Sequence, residues 1–218
     1  MKPWPFPLPH GPLARALAAS TAVLLAATLA SCSLSRPAPV KQMYLLESAA
    51  PPAAAVQNTA SLRIGVINVA APFRGRALVY RRDDITYEAD FYSEYFVAPA
   101  AMLGEATAKA LTAANVFRRV IPPGAAPDDA EYVLDGFATE LYGDLRAGDK
   151  PAAVITVAFY LSSANTATPK VVWSREYRQR VPVSDASPDA LARASNTALS
   201  ALLADLARDL AAAPLPKP

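Results

Sequence analysis

The feature that most constrains this chain is an uncharged, apolar segment that ends at its only cysteine. Lys2 and Arg15 are the only charges in the first 31 residues, and the run at 16–31 that precedes Cys32 carries none. This run is shorter than the roughly 20 residues that a helix needs to span a bilayer. A positively charged N-terminal region, a short apolar run and small residues before a cleavage site are typical of a secretory signal peptide. We therefore expect residues 1–31 to be removed, so that only the rest of the chain folds.

The end of this segment, Leu29-Ala30-Ser31-Cys32, resembles the bacterial lipobox, in which an apolar residue and two small residues precede an obligatory cysteine. The resemblance implies cleavage between Ser31 and Cys32, with a diacylglycerol on the Cys32 thiol and a further acyl chain, such as palmitate, on its new amino group. These chains exceed the two signals that stable anchoring requires. Ser33 stands in place of the aspartate that retains such proteins at the inner membrane, which favours the periplasmic face of the outer membrane. An ordinary secreted protein with a chance cysteine is the alternative.

The charge and the rare residues of the remaining chain exclude several function classes. Lys2 and Arg15 leave with the signal peptide, so the 21 basic residues fall to 19 and equal the 19 acidic ones. No basic cluster points to a nucleic-acid partner. The only histidine, His10, is also lost, and the Cys32 thiol carries lipid, so histidine- and cysteine-based catalysis, Cys/His zinc sites and a disulfide within the chain are excluded. We expect no catalytic residue, metal or cofactor beyond the covalent lipid, and no enzyme activity.

Two features imitate catalytic motifs. Asp83-Asp84 and Asp128-Asp129 are adjacent carboxylates, but neighbours on an extended segment point to opposite faces, so we interpret both pairs as solvated turn residues. The segment at 143–150 resembles a phosphate-binding loop, but its lysine stands one place late and no Ser or Thr follows it. Pro151 and a strand-like run come next, so this segment is predicted to be a hairpin turn.

Hydrophobic periodicity predicts a single domain over residues 43–213, preceded by a flexible tether over 32–42 and followed by a tail over 214–218. Segments with strand-like patterns lie at residues 43–46, 62–69, 77–81, 85–88, 117–121, 132–141, 153–161 and 171–181. The last three alternate over long stretches and are joined by loops rich in turn residues, which indicates an antiparallel meander.

Two helices interrupt this series of strands. Pro99 begins a segment with one apolar stripe that Asn115 ends. Ser187-Pro188-Asp189 supplies an N-cap, a proline at the first position and an acid in the first turn of a longer helix that Pro214 ends. The order of elements predicts a two-layer α+β sandwich, with a largely antiparallel or mixed sheet and two main helices packed on one of its faces.

A dense group of aromatic residues precedes the first helix, because four of the six residues at 91–96 are aromatic, against 8% of the whole chain. Aromatic side chains often dominate the binding energy of an interface. The predicted partner-binding residues are Tyr92, Tyr95 and Phe96, with Arg81 and Arg82 as flanking charges. The alternative, in which these aromatics pack inside the sheet or at the helix entry, stays open.

Several aliphatic and aromatic segments follow one another in a recognisable order behind Cys32. They are Tyr44-Leu45-Leu46, residues 62–69, Leu78-Val79-Tyr80-Arg81, Ile85-Thr86-Tyr87, Tyr92-Ser93-Glu94-Tyr95-Phe96, Asn115-Val116-Phe117 and Tyr132-Val133-Leu134-Asp135-Gly136. In this order they resemble the ABC-type transport auxiliary lipoproteins of the PqiC/YmbA kind. One departure is Phe96, where many members have Trp.

The resemblance implies a non-enzymatic, membrane-anchored accessory component of a system that transports lipid or another hydrophobic compound. Its implied partners are the membrane, through the lipid anchor, an MCE-type protein and an ABC permease with its ATPase; a homo-oligomer stays open. The alternative is a structural or assembly lipoprotein of another envelope or secretion complex. A lipid carrier with its own cavity and, last, a hydrolase are the remaining hypotheses.

Overall fold

The computed structural model describes residues 40–55, 57–125, 130–148, 150–164 and 169–216. The predicted signal peptide, the lipidation site Cys32 and the pair Asp128-Asp129 lie outside the described residues. From Val40 onward the described chain belongs to one unit.

The described residues contain eight strands and two long helices. The strands are β1 (Gln42–Tyr44), β2 (Asn58–Val69), β3 (Ala77–Arg81), β4 (Tyr87–Tyr95), β5 (Phe117–Ile121), β6 (Tyr132–Asp144), β7 (Ala152–Ser163) and β8 (Lys170–Pro182). The helices are α1 (Pro99–Ala113) and α2 (Pro188–Ala212), and a 3-10 turn (Ala71–Phe73) follows β2. Strands β3 and β5 have the predicted bounds, β6, β7 and β8 extend one to three residues beyond theirs, and β2 begins four residues earlier than predicted.

All eight strands form one mixed sheet, in which β6 holds the central position. One edge of β6 pairs with β2 along its first half, from Leu62↔Tyr132 to Val69↔Ala138, and with β3 at its end, where Arg81 faces Asp144. These pairings are parallel, as are β1 with β4 and β2 with β5. The other edge of β6 pairs with β7, and β7 pairs with β8, both antiparallel. The predicted meander and the α+β sandwich are confirmed.

Both helices cover the same face of this sheet, and the core lies between the helices and the sheet. Helix α1 packs against β2 and β5, and α2 packs against β7 and β8. The interface is built from aliphatic side chains that are almost entirely removed from solvent, among them Leu62, Leu111, Leu199, Leu202 and Leu206. Full burial of one such side chain stabilises the fold by about 1.5–3 kcal/mol.

The opposite, open face of β7 is also buried, although no helix of the described chain packs on it. Long side chains from the neighbouring strands lie across it. The Thr156 hydroxyl donates to the Glu140 carboxylate, and Arg178 Nε lies 2.8 Å from the same carboxylate. Because β7 is covered on both faces, it reads in the sequence as a nearly continuous apolar run.

The helix boundaries follow from local chemistry. The Ser187 side chain accepts a hydrogen bond from the Ala190 amide at 3.2 Å, and Pro188 and Pro99 stand at the first positions of α2 and α1. Asn115, just beyond α1, has φ of 53°, a left-handed conformation that asparagine tolerates well. The predicted starts of both helices and the predicted end of α1 are therefore confirmed.

Other boundaries also differ from the prediction. Strand β1 begins at Gln42, which was expected in the tether, and ends at Tyr44, two residues before the predicted end at Leu46. Of the predicted strand at 85–88, Ile85 and Thr86 lie in the turn, and only the last two residues belong to a strand, β4, which continues through the aromatic stretch up to Tyr95. The predicted tail is docked where it is described, because Leu215 packs against the core and the Tyr132 hydroxyl donates to the Pro216 carbonyl. The segment at 143–150 joins two antiparallel strands, as expected for a hairpin turn.

Candidate partner-binding surface

The chain enters the folded unit at an edge of the sheet. Strand β1 pairs only with β4 among the described strands, in the parallel register Gln42↔Ser93 to Tyr44↔Tyr95. The predicted lipidation site Cys32 and the cleavage residue Ser31 precede this edge and lie outside the described residues. The aromatic stretch of β4 is therefore the neighbour of the segment that connects the domain to its predicted anchor.

Strand β4 carries a wide bulge in the middle of the aromatic stretch. Ala77 of β3 faces Glu94 and Val79 faces Ala89, so two steps along β3 correspond to five along β4. The extra residues leave the ladder and protrude from the edge. Bulges of this kind re-aim side chains near the edges of sheets.

Asp90 holds the bulge in shape. Its Oδ1 accepts hydrogen bonds from the backbone amides of Tyr92 at 2.8 Å and Ser93 at 2.9 Å, and its Oδ2 accepts from the Tyr80 hydroxyl at 2.7 Å. Burial acts to raise the pKa of Asp90, but these three hydrogen bonds outweigh it and lower the pKa below its ordinary value. The carboxylate is thus charged at neutral pH and fixes the path of the backbone.

The bulge exposes two aromatic rings. Phe91 is 73% exposed and Tyr92 is 42% exposed, and their rings contact edge to face with centroids 5.0 Å apart. Phe96, after the end of β4, is 57% exposed. The structure therefore places Tyr92 and Phe96 on the surface, as the predicted docking patch requires.

Tyr95 is a correction to that patch. Its side chain is only 5% exposed and belongs to the core, where burial raises the pKa of its hydroxyl to about 12. Tyr95 lies on the face that α2 covers, because it pairs with Tyr44, whose hydroxyl reaches Asp189 of α2 at 2.7 Å. The open alternative, in which the aromatics are core residues, holds for Tyr95 alone of the three.

The two predicted arginines separate, because Arg81 ends β3 and Arg82 follows it in the turn, and neighbours on an extended segment point to opposite sides. The Arg82 guanidinium pairs with Glu88 at 2.7 Å and lies 5.5 Å from the centre of the Tyr80 ring. Arg81 instead turns back on its own loop, where it contacts the Asp83 carbonyl at 3.1 Å and the Asp84 carboxylate at 3.4 Å. Only Arg82 is therefore positioned beside Tyr92.

Arg82 and Tyr92 line one shallow groove beside the bulge, which we call the bulge groove. Its volume is about 440 Å³. Its lining comes from the hairpin β3–β4, from the end of β6 and from the start of α2, and includes Tyr80, Glu88, Phe91, Leu145, Ala186 and Pro188. The groove thus joins aromatic, aliphatic and charged side chains, a combination found in protein–protein contact sites.

Sequence reasoning missed Phe91, the most exposed aromatic of the bulge, and Asp90, which shapes it. Aspartate favours the Asx turn, in which its carboxylate accepts a hydrogen bond from the backbone amide two residues later. Asp90, two residues before Tyr92, was therefore a signal for a turn. The direction in which the aromatic side chains point was not readable, because it depends on the bulge.

The carboxylates of the adjacent pair in the β3–β4 turn serve structural roles. Asp83 accepts hydrogen bonds from the amides of Ile85 and Thr86, at 2.9 and 2.7 Å, and these bonds lower the pKa of its carboxyl. Within the described ranges, no cluster of His, Cys, Asp or Glu side chains has the composition of a metal site. The described helices also include none with the length and hydropathy needed to cross a bilayer.

A search of solved structures finds the same fold. The protein XCC0632 from Xanthomonas campestris, of the family DUF330, is 18% identical with a TM-score of 0.68, covering 76% of this chain and 92% of that one. An uncharacterized protein is 15% identical with a TM-score of 0.61, covering 78% and 99%. The PelC dodecamer from Paraburkholderia phytofirmans is 18% identical over 73% and 94%, but its TM-score of 0.37 supports no argument. No curated protein matches this chain.

The sequence profile of one family covers most of the folded unit. This family is described as the ABC-type transport auxiliary lipoprotein component, and its profile matches residues 44–207. The match begins within β1 and ends within α2, so it includes the meander, both helices and the aromatic bulge. The chain is a member of the ABC-type transport auxiliary lipoprotein family.

Proposed function

We propose that this protein is a non-catalytic, lipid-anchored subunit of an ABC-type transport system that moves lipid or another hydrophobic compound. In this proposal the lipid on Cys32 holds it at the periplasmic face of the outer membrane, and the folded domain works by binding partner proteins. An MCE-type protein and the ABC permease with its ATPase are the proposed partners, as the resemblance to the PqiC/YmbA proteins implies.

The anchor is supported by the N-terminal sequence together with the family. The single cysteine stands at the place that a lipobox requires, and the family is one of lipoproteins. Ser33 after the cysteine supports the outer membrane over the inner membrane. The tether from Cys32 to β1 lets the domain search for a partner close to the membrane.

A binding role is supported most directly by the bulge groove. Asp90 accepts three hydrogen bonds that hold the bulge, and the bulge exposes Tyr92 in the groove that Arg82 also lines. Aromatic and arginine side chains are the residue types that dominate binding hot spots. We propose Tyr92, Arg82 and Phe96 as the contact residues for a partner protein.

The absence of catalysis is supported by the residues that remain after cleavage. The mature sequence has no histidine, and its only cysteine carries lipid in this proposal. Burial acts to raise the pKa of Glu140, but hydrogen bonds from Thr156 and Arg178 lower it below the ordinary range. Hydrogen bonds from Arg146 lower the pKa of Asp144 in the same way, so both carboxylates are charged. Groups held in this state are poor general acids at neutral pH.

A photo-crosslinking amino acid at Tyr92 tests the binding role in cells that produce the full-length lipoprotein. The matched control carries the same group at Ile85, which is 91% exposed in the neighbouring turn. We expect adducts with an MCE-type, permease or ATPase protein from position 92 and none from position 85. Adducts only with components of a secretion or assembly complex support the alternative function, and equal labelling at both positions contradicts the proposed contact.

Labelling with radioactive palmitate tests the anchor separately. The wild-type protein is expected to incorporate label and to lose residues 1–31, whereas Cys32→Ser is expected to do neither. An unlabelled wild-type protein that retains its leader contradicts the anchoring proposal whatever the crosslinks show.

A further inference from the structure

We infer that the edge at which the chain enters the fold rests on the headgroup region of the membrane that holds the lipid anchor. This inference relies on the anchor at Cys32 proposed above. The surface concerned, the entry patch, consists of Val40, Lys41, Met43, Arg76, Phe91 and Glu94. It adjoins the bulge groove, with which it shares Phe91, and leaves Tyr92 and Arg82 to a partner protein.

Contacts between neighbouring side chains join these residues into one surface. Lys41 Nζ lies 5.2 Å from the centre of the Phe91 ring and 3.7 Å from the Glu94 carboxylate. Arg76 Nη2 binds the same carboxylate at 2.7 Å and lies 4.0 Å from the sulfur of Met43. The two cations therefore flank a single anion, with Phe91 against Lys41 and Met43 against Arg76, and Val40 precedes Lys41 in the chain.

The apolar members of the entry patch are unusually exposed. Val40 is 82% exposed and Met43 is 52% exposed, and the bulge lifts Phe91 away from the sheet. Contiguous apolar side chains with cations beside them are typical of surfaces that contact a membrane interface, where the apolar groups enter the acyl boundary and the cations meet lipid phosphates.

The position of the patch in the chain selects the bilayer as its occupant. Seven residues lie between Cys32 and Val40, so Val40 stays within about 28 Å of the anchor, eight extended steps along the chain, even when the tether is fully extended. A surface tethered at this distance meets the bilayer at a high effective concentration, so weak contacts suffice.

The opposite edge of the sheet has no such tether. Strand β8 lies five strand positions from β1, along the order β1-β4-β3-β6-β7-β8, which is about 24 Å at the usual spacing. If the β1 edge rests on the membrane, β8 and the residues on it stay in the aqueous phase.

A tryptophan-quenching experiment tests this orientation, because the mature sequence contains one tryptophan, Trp173, and it lies on β8. The lipidated protein is reconstituted in vesicles of phosphatidylethanolamine and phosphatidylglycerol that contain a phospholipid brominated near its headgroup. The probe variant combines Trp173→Phe with Phe91→Trp, and the control combines Trp173→Phe with Ile85→Trp. Both new tryptophans replace exposed side chains, and thermal melting confirms that each variant is folded.

We expect quenching at position 91 to exceed that of native Trp173, and that of the control, by about threefold or more. Flotation of the vesicles separates the two proposals. Protein that floats with the vesicles but shows equal quenching at positions 91, 85 and 173 is anchored and overturns the inference alone. Protein that does not float overturns the anchor and, with it, this orientation.

Discussion

The meander β6–β8 and the bulged edge β1–β4–β3 belong to one sheet but are built in opposite ways. In the meander, pairing runs from Tyr132↔Ser163 to Asp144↔Ala152 and onward to β8, with one register shift in each ladder. In the bulged edge, β1 has three residues, β3 has five, and β4 leaves the ladder at Asp90. The regular region removes nearly all of β7 from solvent, whereas the irregular region exposes aromatic rings.

This difference separates stability from recognition within the same domain. A residue buried on both sides contributes through packing and has no surface to offer a partner. A bulge interrupts packing but directs side chains outward, and the domain tolerates it because other residues of the same hairpin, such as Tyr80 and Tyr95, remain in the core. Substitutions in the two regions should therefore have different consequences, and the following four are ordered by their expected effect on the free energy of unfolding.

Phe159→Ala should destabilise the protein most. Phe159 is buried between the sheet and α2, with its ring centre 6.3 Å from that of Tyr177, and its truncation leaves a cavity. We expect a loss of about 3–5 kcal/mol in urea unfolding. The matched control is Tyr160→Ala, whose side chain points to the open face and is half-exposed. Equal losses of unfolding free energy in the two variants would contradict the burial of Phe159 between the sheet and α2.

Asp144→Asn should cost roughly 2–3 kcal/mol at neutral pH, because the buried carboxylate accepts from Arg146 Nε at 2.9 Å and Nη2 at 3.0 Å. The Arg146 hydrogen bonds hold the pKa of Asp144 below its ordinary value, against the effect of burial. Its contribution is therefore complete above about pH 4 and is lost as the pH falls through the lower pKa of the folded state.

Urea midpoints of wild type and Asp144→Asn at neutral and acidic pH measure this effect. The difference between the two proteins should shrink in acid. Asp84→Asn is the control, because Asp84 belongs to the same charge cluster but is exposed, so its change should be within about 0.5 kcal/mol. A difference that stays constant with pH would show that the Asp144 charge is not responsible.

Asp90→Ala should destabilise the domain by about 1–2 kcal/mol and loosen the bulge, because two backbone amides and the Tyr80 hydroxyl lose their acceptor. Hydrogen exchange of the Tyr92 and Ser93 amides should accelerate, while exchange in β7 should not change. Asp90→Asn retains one carbonyl oxygen and should recover part of the protection. Unchanged exchange in both variants would mean that Asp90 does not hold the loop.

Tyr92→Ala should change the free energy of unfolding least, by less than about 0.5 kcal/mol, because the side chain is partly exposed. Capture of the partner protein by the full-length lipoprotein should nevertheless fall. Tyr95→Ala is the converse control. Because the Tyr95 ring is buried, this substitution should lower the melting temperature as well as any binding. If Tyr92→Ala lowers the melting temperature as much as Tyr95→Ala does, Tyr92 is a core residue and the proposed groove is wrong.

Local signals in the sequence predicted the elements that depend on local chemistry. Ser187-Pro188 marked the start of α2, Pro99 marked the start of α1, and the alternation after Tyr132 marked the meander. The predicted strand at 85–88 was too short, because a bulge breaks the alternation on which strand prediction rests.

The aromatic residues of the predicted docking patch differ in exposure for a related reason. Tyr92, Tyr95 and Phe96 are equivalent as a sequence pattern, yet Tyr95 is buried and the other two are not. The face of β4 that is covered depends on α2, which lies about a hundred positions later in the chain. Arg81 and Arg82 likewise separate only because they stand at the end of β3, where the Arg81 side chain meets the turn and the Arg82 side chain meets Glu88 of β4.

The sequence by itself determined the order of strands and helices, the lack of histidine and of a second thiol beyond the predicted signal peptide, and the place of the predicted anchor. These properties depend on composition and on periodicities of a few residues. Only the tertiary structure decided which aromatic rings are exposed and which arginine accompanies them. A single bulge, held by hydrogen bonds between Asp90 and the distant Tyr80, sets the direction of those side chains, and no local pattern encodes a contact of that kind.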